Sequence, residues 1–549
     1  MKRAALFFIF LLAALTVTTL SACGKESDGG KKNDTAPELL PSTVRITPIP
    51  QGVETFNDIE ITISGEKLPL YSVQTNRSQV WSPIAPVRRA SAVGYFELRG
   101  RCELIVKLPY DIDYSSKLRP LAAGITPVAD KENRTLRAVI YSPGDYVLEP
   151  NGSRFEAVHL FVSELKDEEY RESSENVVYF GSGLHTAQNS ELIDEHNRIF
   201  LTSGKTVYLA RGAVVRAKIT AANASDIKVA GHGILDGSVF PRNATTGEVT
   251  VPIDINHSSR VTLSDFSALD PAGWCVNFYF NTDSVIDGIK IISSRSNGDG
   301  ISLQSCKNIA VKNCFVRSWD DSLVVKNYPL WQDRSVHGAT QNIEFSDCII
   351  WTDLAQSMEI GYETVGEKLE GVSFKNITVL HALHKPVISV HNGNNAEIKD
   401  VAFENITVED ASMGLGDAGQ NNQLIEIVNI FSPIWSESHA VTSLGSIESV
   451  TVKKIKVVAG NKIIPIKIAG TFDSRPAYQS EHWVRNIALT DIEIKGKVIS
   501  DEYDYLSYGN YTEGITVSSG TASGANYKPK VAKSDAAAYT TAAQVVFAD

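Results

Sequence analysis

The feature that most constrains this chain is an internal repeat. From about residue 225 a short unit recurs: a polar residue, an alternating apolar strand, a turn residue, then a second short strand. It is read at Asp226–Val229, Arg260–Leu263, Ser284–Asp287, Asn308–Val311, Asn342–Phe345, Gly371–Phe374, Asp400–Phe403 and Asn486–Leu489. The first apolar residues of six units are Val261, Val285, Ile309, Ile343, Val372 and Val401, spaced by 24, 24, 34, 29 and 29 residues. A unit this short cannot bury its own apolar face, so each must stack on the next. Three short strands per unit at this period predict a right-handed parallel β-helix over residues 177–520. A β-propeller would need about 40–50 residues per four-stranded blade, which fits these spacings less well. Cys314 and Cys348 hold the same slot in successive units, which predicts stacked interior residues.

Residues 41–176 lack the period. They alternate polar and apolar at Thr43–Ile46, Ile59–Ile63, Cys102–Val106, Leu136–Tyr141 and Ala157–Val162, with turns such as Ser142–Asp145 between them. This pattern predicts an N-terminal antiparallel β-sandwich, and the fold class is all-β. Residues 521–549 are rich in Ala, Ser and Thr and form a tail or cap of no assignable structure.

The first residues read as an address. Lys2 and Arg3 precede a 12-residue apolar run, Ala4–Leu15, too short to span a bilayer and suited to a signal peptide. Leu20–Cys23 resembles a bacterial lipobox, which implies removal of residues 1–22 and lipidation of Cys23. Residues 23–40 then form a flexible tether. A lipid-anchored protein of a bacterial outer membrane is expected, at the cell surface or facing the periplasm. Five other Cys remain, an odd number, and none has metal-site spacing, so neither a disulfide framework nor a metal or other cofactor is expected. The net charge of −12 argues against a nucleic-acid partner.

The chemistry concentrates in two segments. Asn297–Gly300 contains Asp299, and Trp319–Ser322 contains Asp320 and Asp321, 21 and 22 residues later. One coil separates them, so the three carboxylates converge on neighbouring coils about 5 Å apart along the axis. Like charges that close raise at least one pKa, and a protonated acid beside ionised carboxylates suits glycoside hydrolysis. On a regular strand Asp320 and Asp321 would face opposite ways, so the backbone must kink there.

These motifs resemble the β-helix glycoside hydrolases, polygalacturonase-like (family 28) and dextranase-like (family 49), whose hallmark is Asn-Thr-Asp-Gly followed by Asp-Asp one coil later. Ala230–Gly237 is similar to an earlier coil of the same group. The resemblance covers roughly Val177 to Lys497, and an N-terminal sandwich is closer to the dextranase-like family. It implies Asp320 as general acid, Asp299 and Asp321 as the groups that activate water, and inversion at the anomeric carbon.

The chain departs from the polygalacturonase pattern one coil on, where Ala355–Ser357 replaces Gly-His-Gly. On the next coil Val387–Asn392 replaces Arg-Ile-Lys, with Ile388 and Val390 at the basic positions. A neutral glycan substrate is therefore expected. Lys326, Gln356, Glu359, His391, Asn392 and Trp274 are the candidate substrate-binding residues, while Asn281–Ser284 imitates the catalytic motif without its final Gly and reads as a turn. The expected partners are a carbohydrate, the membrane through Cys23, and other polysaccharide-utilisation proteins. Two competing readings are a polysaccharide lyase on the same solenoid and a non-catalytic glycan-binding lipoprotein.

Overall fold

The computed structural model describes residues 39–77, 87–242, 249–328, 336–414, 422–431, 443–520, 530–531 and 533–548. The signal segment, Cys23 and nearly all of the tether lie outside them, as do residues 521–529.

From Val177 onward the chain winds as a parallel β-helix. Two strand ladders form one hydrogen-bonded path of 22 strands, and a third sheet contains 11. The repeat slot is continuous: Ile227, Val261, Ser284, Ile309, Ile343, Val372, Val401, Val450 and Ile487 lie side by side on successive coils. Here the sequence reading of one unit is corrected by a residue. Ser284, not Val285, holds the slot, because its hydroxyl accepts from Val261 N–H and donates to Thr282 C=O, which lets a small polar group sit inside. Val285 pairs with Thr262 on the outer face. The interior is a ladder of like residues, as Phe345, Phe374 and Phe403 show by stacking at 4.7 and 4.9 Å. Burying each such ring contributes about 1.5–3 kcal/mol. Cys314 and Cys348 occupy the expected interior slot and are free thiols.

Two further sheets are built mainly from residues before the helix. One contains Leu40–Ile46, Leu70–Asn76, Arg88–Arg99, Lys117–Arg119, Gly144–Glu149, Val158–Glu164 and Tyr539–Phe547; the other contains Glu60–Ile63, Glu66–Lys67, Cys102–Lys107, Val128–Asp130 and Thr135–Ile140. Both supply one shared core, including Val44, Ile61, Phe96, Leu104, Leu136 and Leu160. The expectation of purely antiparallel pairing is corrected: Arg88–Arg99 pairs in parallel with Val158–Glu164, and Leu40–Ile46 in parallel with Tyr539–Phe547. The C-terminal segment thus returns to complete the first sheet.

The outer face of that sheet packs on the second ladder of the helix. Tyr71, Val93, Val147 and Phe161 meet Val214, Ile234, Ile292, Phe315, Trp351 and Leu380 in one apolar cluster. In the third sheet, inward residues such as Ile301, Leu303, Leu323, Val325, Ile388 and Val390 belong to the helix core, and their alternating neighbours face outward.

Candidate active site

The acidic trio stands where the chain enters the third sheet. Backbone bonds there run from Cys275 N–H to Asp299 C=O, from Gly300 N–H to Asp321 C=O and from Ser322 N–H to Gln356 C=O. Trp274, Asp299, Asp321 and Gln356 therefore stack in one slot on consecutive coils, and Lys385 lies in the same turn two coils beyond Asp320. The required kink is a bend between strands, at Trp319–Ser322, rather than a bulge within one. Gly300 is needed for the close stacking: a Cβ there would lie 2.4 Å from Ser322 O.

Lys326 sits at the centre. Its ammonium is 3.4 Å from Glu363, 3.5 Å from Asp321 and 3.8 Å from Asp299. Glu363 reaches it because the strand Met358–Thr364 carries a bulge, with Val325 opposite Ile360 but Asn327 opposite Thr364. Gly361 makes the bulge possible, at φ +116° with a Cβ position only 2.0 Å from His391 O. Burial alone would lower the pKa of Lys326, but Glu363, Asp299, Asp321 and Asp320 together hold it well above the ordinary value. Asp321 also accepts from Gln356 N–H at 3.2 Å.

Asp320 is raised to about 6, by burial first and by Asp321 next, with Lys385 and Lys326 pulling it back. Burial pushes Asp299 well above the usual carboxylate range; Lys326 opposes this, and Asp320 and Asp321 add to it. Burial and mutual repulsion thus let Asp299 and Asp320 keep their protons to higher pH than free carboxyl groups do.

The substrate-binding candidates divide. Trp274 is half-buried, with Lys326 5.5 Å from its ring centroid and Tyr328 edge-on at 5.9 Å, so it lies beside Asp299 as a platform. Lys326 and Gln356 are at the trio. Glu359, His391 and Asn392 are engaged with neighbouring protein groups. His391 is fully buried, with Nδ1 2.8 Å from Glu359 and Nε2 3.1 Å from Glu426, and Tyr362 stacks on its ring at 4.2 Å. Burial alone would lower its pKa, but the two carboxylates raise it to about 10, so both nitrogens are donors already in use. Glu359 also accepts from Ser389 Oγ. Asn392 donates to Ala396 O and Ser446 O and accepts from Thr364. The basic-clamp positions are corrected: Ile388 and Val390 point into the core, and the outward slots hold Ser389 and His391. Asn281 bonds Ser258 N–H and Ile255 O inside the helix, as a turn residue.

Sequence reading missed Lys385, Arg242 and the contact of Glu363 with Lys326. Lys385 was findable from the column of turn residues. Glu363 needed the bulge. Arg242 comes from an irregular connection; it donates to Asn297 Oδ1 and Ala272 O and feels the charges of Asp320 and Asp299.

Residues 190–417 match the family described as Glycosyl hydrolases family 28. A probable polygalacturonase of Vitis vinifera is 24% identical over 161 residues, which are 29% of this chain and 32% of that protein, so the chain covers about a third of that relative's length. Dex49A from Penicillium minioluteum shares the fold at a TM-score of 0.59 and 13% identity, over 86% of this chain and 96% of that one. A hyperthermoactive exopolygalacturonase from Thermotoga maritima aligns at a TM-score of 0.43 and 16% identity, over 62% of this chain and 84% of that one. The chain thus resembles the polygalacturonase-like and dextranase-like β-helix glycoside hydrolases, in sequence over residues 190–417 and in fold over most of its length.

Proposed function

We propose that this protein is an inverting glycoside hydrolase acting on a neutral poly- or oligosaccharide. The observation that carries the reading is the trio itself: Asp320, raised to about 6, adjoins Asp321 on the coil after Asp299, with Lys326 among the carboxylates. Asp320 delivers its proton to the leaving glycosidic oxygen. Asp321, partnered by Lys326 and Gln356 N–H, and Asp299 take the proton of the attacking water on the other side of the ring. The bond to the leaving group breaks as the water oxygen bonds to the anomeric carbon, so configuration inverts and no covalent intermediate forms.

The neutral reading is supported by the commitments of three basic residues, which leave Arg242 and Lys385 as the other cations near the trio. Recognition of a sugar carboxylate favours a free Arg fork. Lys326 is shared by three carboxylates, and Arg295 is committed to Phe240 O, Ser238 O and Asp270. Arg317 is buried against Asp353 and His159, on the side of the N-terminal sheets. In the cell the protein is proposed to be anchored through lipidated Cys23 on the outer membrane of a bacterium, alongside other polysaccharide-utilisation proteins. Purified protein tested against dextran, galactan, arabinan and polygalacturonan, read by new reducing ends, checks the activity; NMR of the first product checks inversion. Polygalacturonan as the best substrate by tenfold, about 1.4 kcal/mol of transition-state preference, would refute the neutral assignment. A retained anomer would refute the single displacement.

A further inference from the structure

On the third sheet the coils before and after Lys326 differ in how their outward polar groups are used. On the later coils the groups bond one another: Ser389 and His391 to Glu359, His391 to Glu426, and Glu426 to Lys467. On the earlier coils they do not. Gln304 is fully buried, and neither atom of its amide has a hydrogen-bond partner among the described residues. Ser302 Oγ, Asn277 Oδ1 and Asp299 Oδ2 are likewise buried without one; Asn277 donates only its Nδ2, to Asp254 at 3.0 Å.

These residues share one surface. Gln304 lies between Tyr279 and Lys326 in register, and Ser302 between Asn277 and Val324. Their inward neighbours Ile301 and Leu303 are in the core, so Ser302 and Gln304 project from the face that carries Lys326. Asp299 precedes them on the same coil. Buried amides and hydroxyls without partners are costly and rare in folded proteins, and a cluster of them beside a reactive site marks a place where a ligand supplies the partners.

We propose that Gln304, Ser302 and Asn277 form a sugar-hydroxyl subsite on the N-terminal side of Lys326, which orients the ring whose bond is cut. The inference rests on the glycoside hydrolase reading above and names its specificity residues. An amide that donates from Nε2 and accepts at Oε1 spans two neighbouring hydroxyls, one as acceptor and one as donor. Ser302 adds a third bond, and Asn277 Oδ1 accepts a fourth. No cation belongs to the set, so the ring it selects is a neutral one with vicinal hydroxyls. A site built to bond hydroxyls discriminates strongly against a ring that lacks them, because its own polar groups are then left unpaired.

The test uses Gln304→Met, which removes the amide and keeps the shape, and Ser302→Ala. Each is made in the full chain and in the Asp320→Asn background. Isomaltotriose, maltotriose, galactotriose, arabinotriose and trigalacturonate are titrated calorimetrically into the Asp320→Asn protein. At least one neutral trisaccharide is expected to bind, and Gln304→Met is expected to weaken it tenfold or more, with Ser302→Ala smaller and the melting temperature unchanged. In the active enzyme Gln304→Met should raise KM and lower kcat/KM on the best polysaccharide. Unchanged affinity in Gln304→Met, binding of trigalacturonate alone, or no binding by any trisaccharide overturns the subsite. Reducing-end release by the unsubstituted enzyme separates that failure from failure of the hydrolase reading.

Discussion

Two faces of one solenoid bury charge in opposite ways. On the second ladder, under the N-terminal sheets, Arg119, Glu149, Glu409, His381 and Asp410 meet direct partners. Arg119 bonds Glu149 at 2.8 Å and Glu409 at 2.7 Å; His381 lies between Glu149 at 2.5 Å and Asp410 at 2.8 Å. Arg317 lies over the Trp351 ring at 3.8 Å, and Trp351 donates to Asp353 at 2.8 Å. Although burial pushes them up, Glu149 and Asp410 end below their ordinary pKa because His381 and Arg119 outweigh it. Asp353 and Glu409 remain raised by burial. On the third sheet one ammonium serves three carboxylates at 3.4–3.8 Å, and Asp299 and Asp320 end above their ordinary values. What separates architecture from chemistry is the ratio of partners to charges.

The comparison breaks first at the paired face. Arg119→Met leaves Glu149 and Glu409 buried without their cation, and such a loss costs about 3–5 kcal/mol; a clear fall in denaturation midpoint is expected, with little change in kcat for the protein that remains folded. A midpoint equal to the unsubstituted chain would show that this network carries no stability.

At the frustrated face the order reverses. Asp299→Asn and Asp321→Asn should each lower kcat by at least about 10²-fold while the denaturation midpoint holds. Near-normal turnover in either would remove that residue from the water-activating role.

The pH dependence sharpens the contrast. Asp320 must hold its proton to act, so kcat/KM should fall above about pH 6, roughly tenfold per unit. Its folded pKa lies above 3.8, so its own contribution to stability is full below that value and lost as pH rises through about 6. The His391–Glu426 brace behaves differently. His391, raised from 6.5 to about 10, stabilises fully below 6.5 and loses this as pH rises through about 10. Glu426, lowered from 4.5 to about 2, stabilises above 4.5 and loses this as pH falls through about 2. Melting scans should therefore show the brace intact between about pH 4.5 and 6.5. An activity limb that tracks the melting temperature instead of preceding it would contradict the assignment. The smallest effect expected is that of EDTA: Lys326 occupies the point where the carboxylates converge, so chelation should leave the rate unchanged. Loss of activity restored by Ca²⁺ would favour a lyase.

Much of this was legible in the sequence, for reasons that are physical. Stacking demands a period, and the period gave the helix and brought Asp299 to Asp320 and Asp321. The same rule placed Cys314 and Cys348 correctly. It failed where local chemistry substitutes for apolarity, as when Ser284 satisfies its own hydroxyl and takes an interior slot. It failed again where register decides which way a residue points. His391 and Ser389 face outward while Ile388 and Val390 do not, and a bulge at Gly361–Glu363 returns a carboxylate to Lys326. The return of Tyr539–Phe547 to pair with Leu40–Ile46 spans nearly the whole chain, and no local pattern announces such a pairing.

The most direct test of the account is Asp320→Asn, with kcat and melting temperature measured on the same preparation. Asn cannot deliver the proton, and it relieves a buried carboxyl of its charge. The account predicts a loss of kcat of at least about 10²-fold with an equal or higher melting temperature. Near-normal kcat, or a loss of activity matched by a collapse in stability, would contradict it.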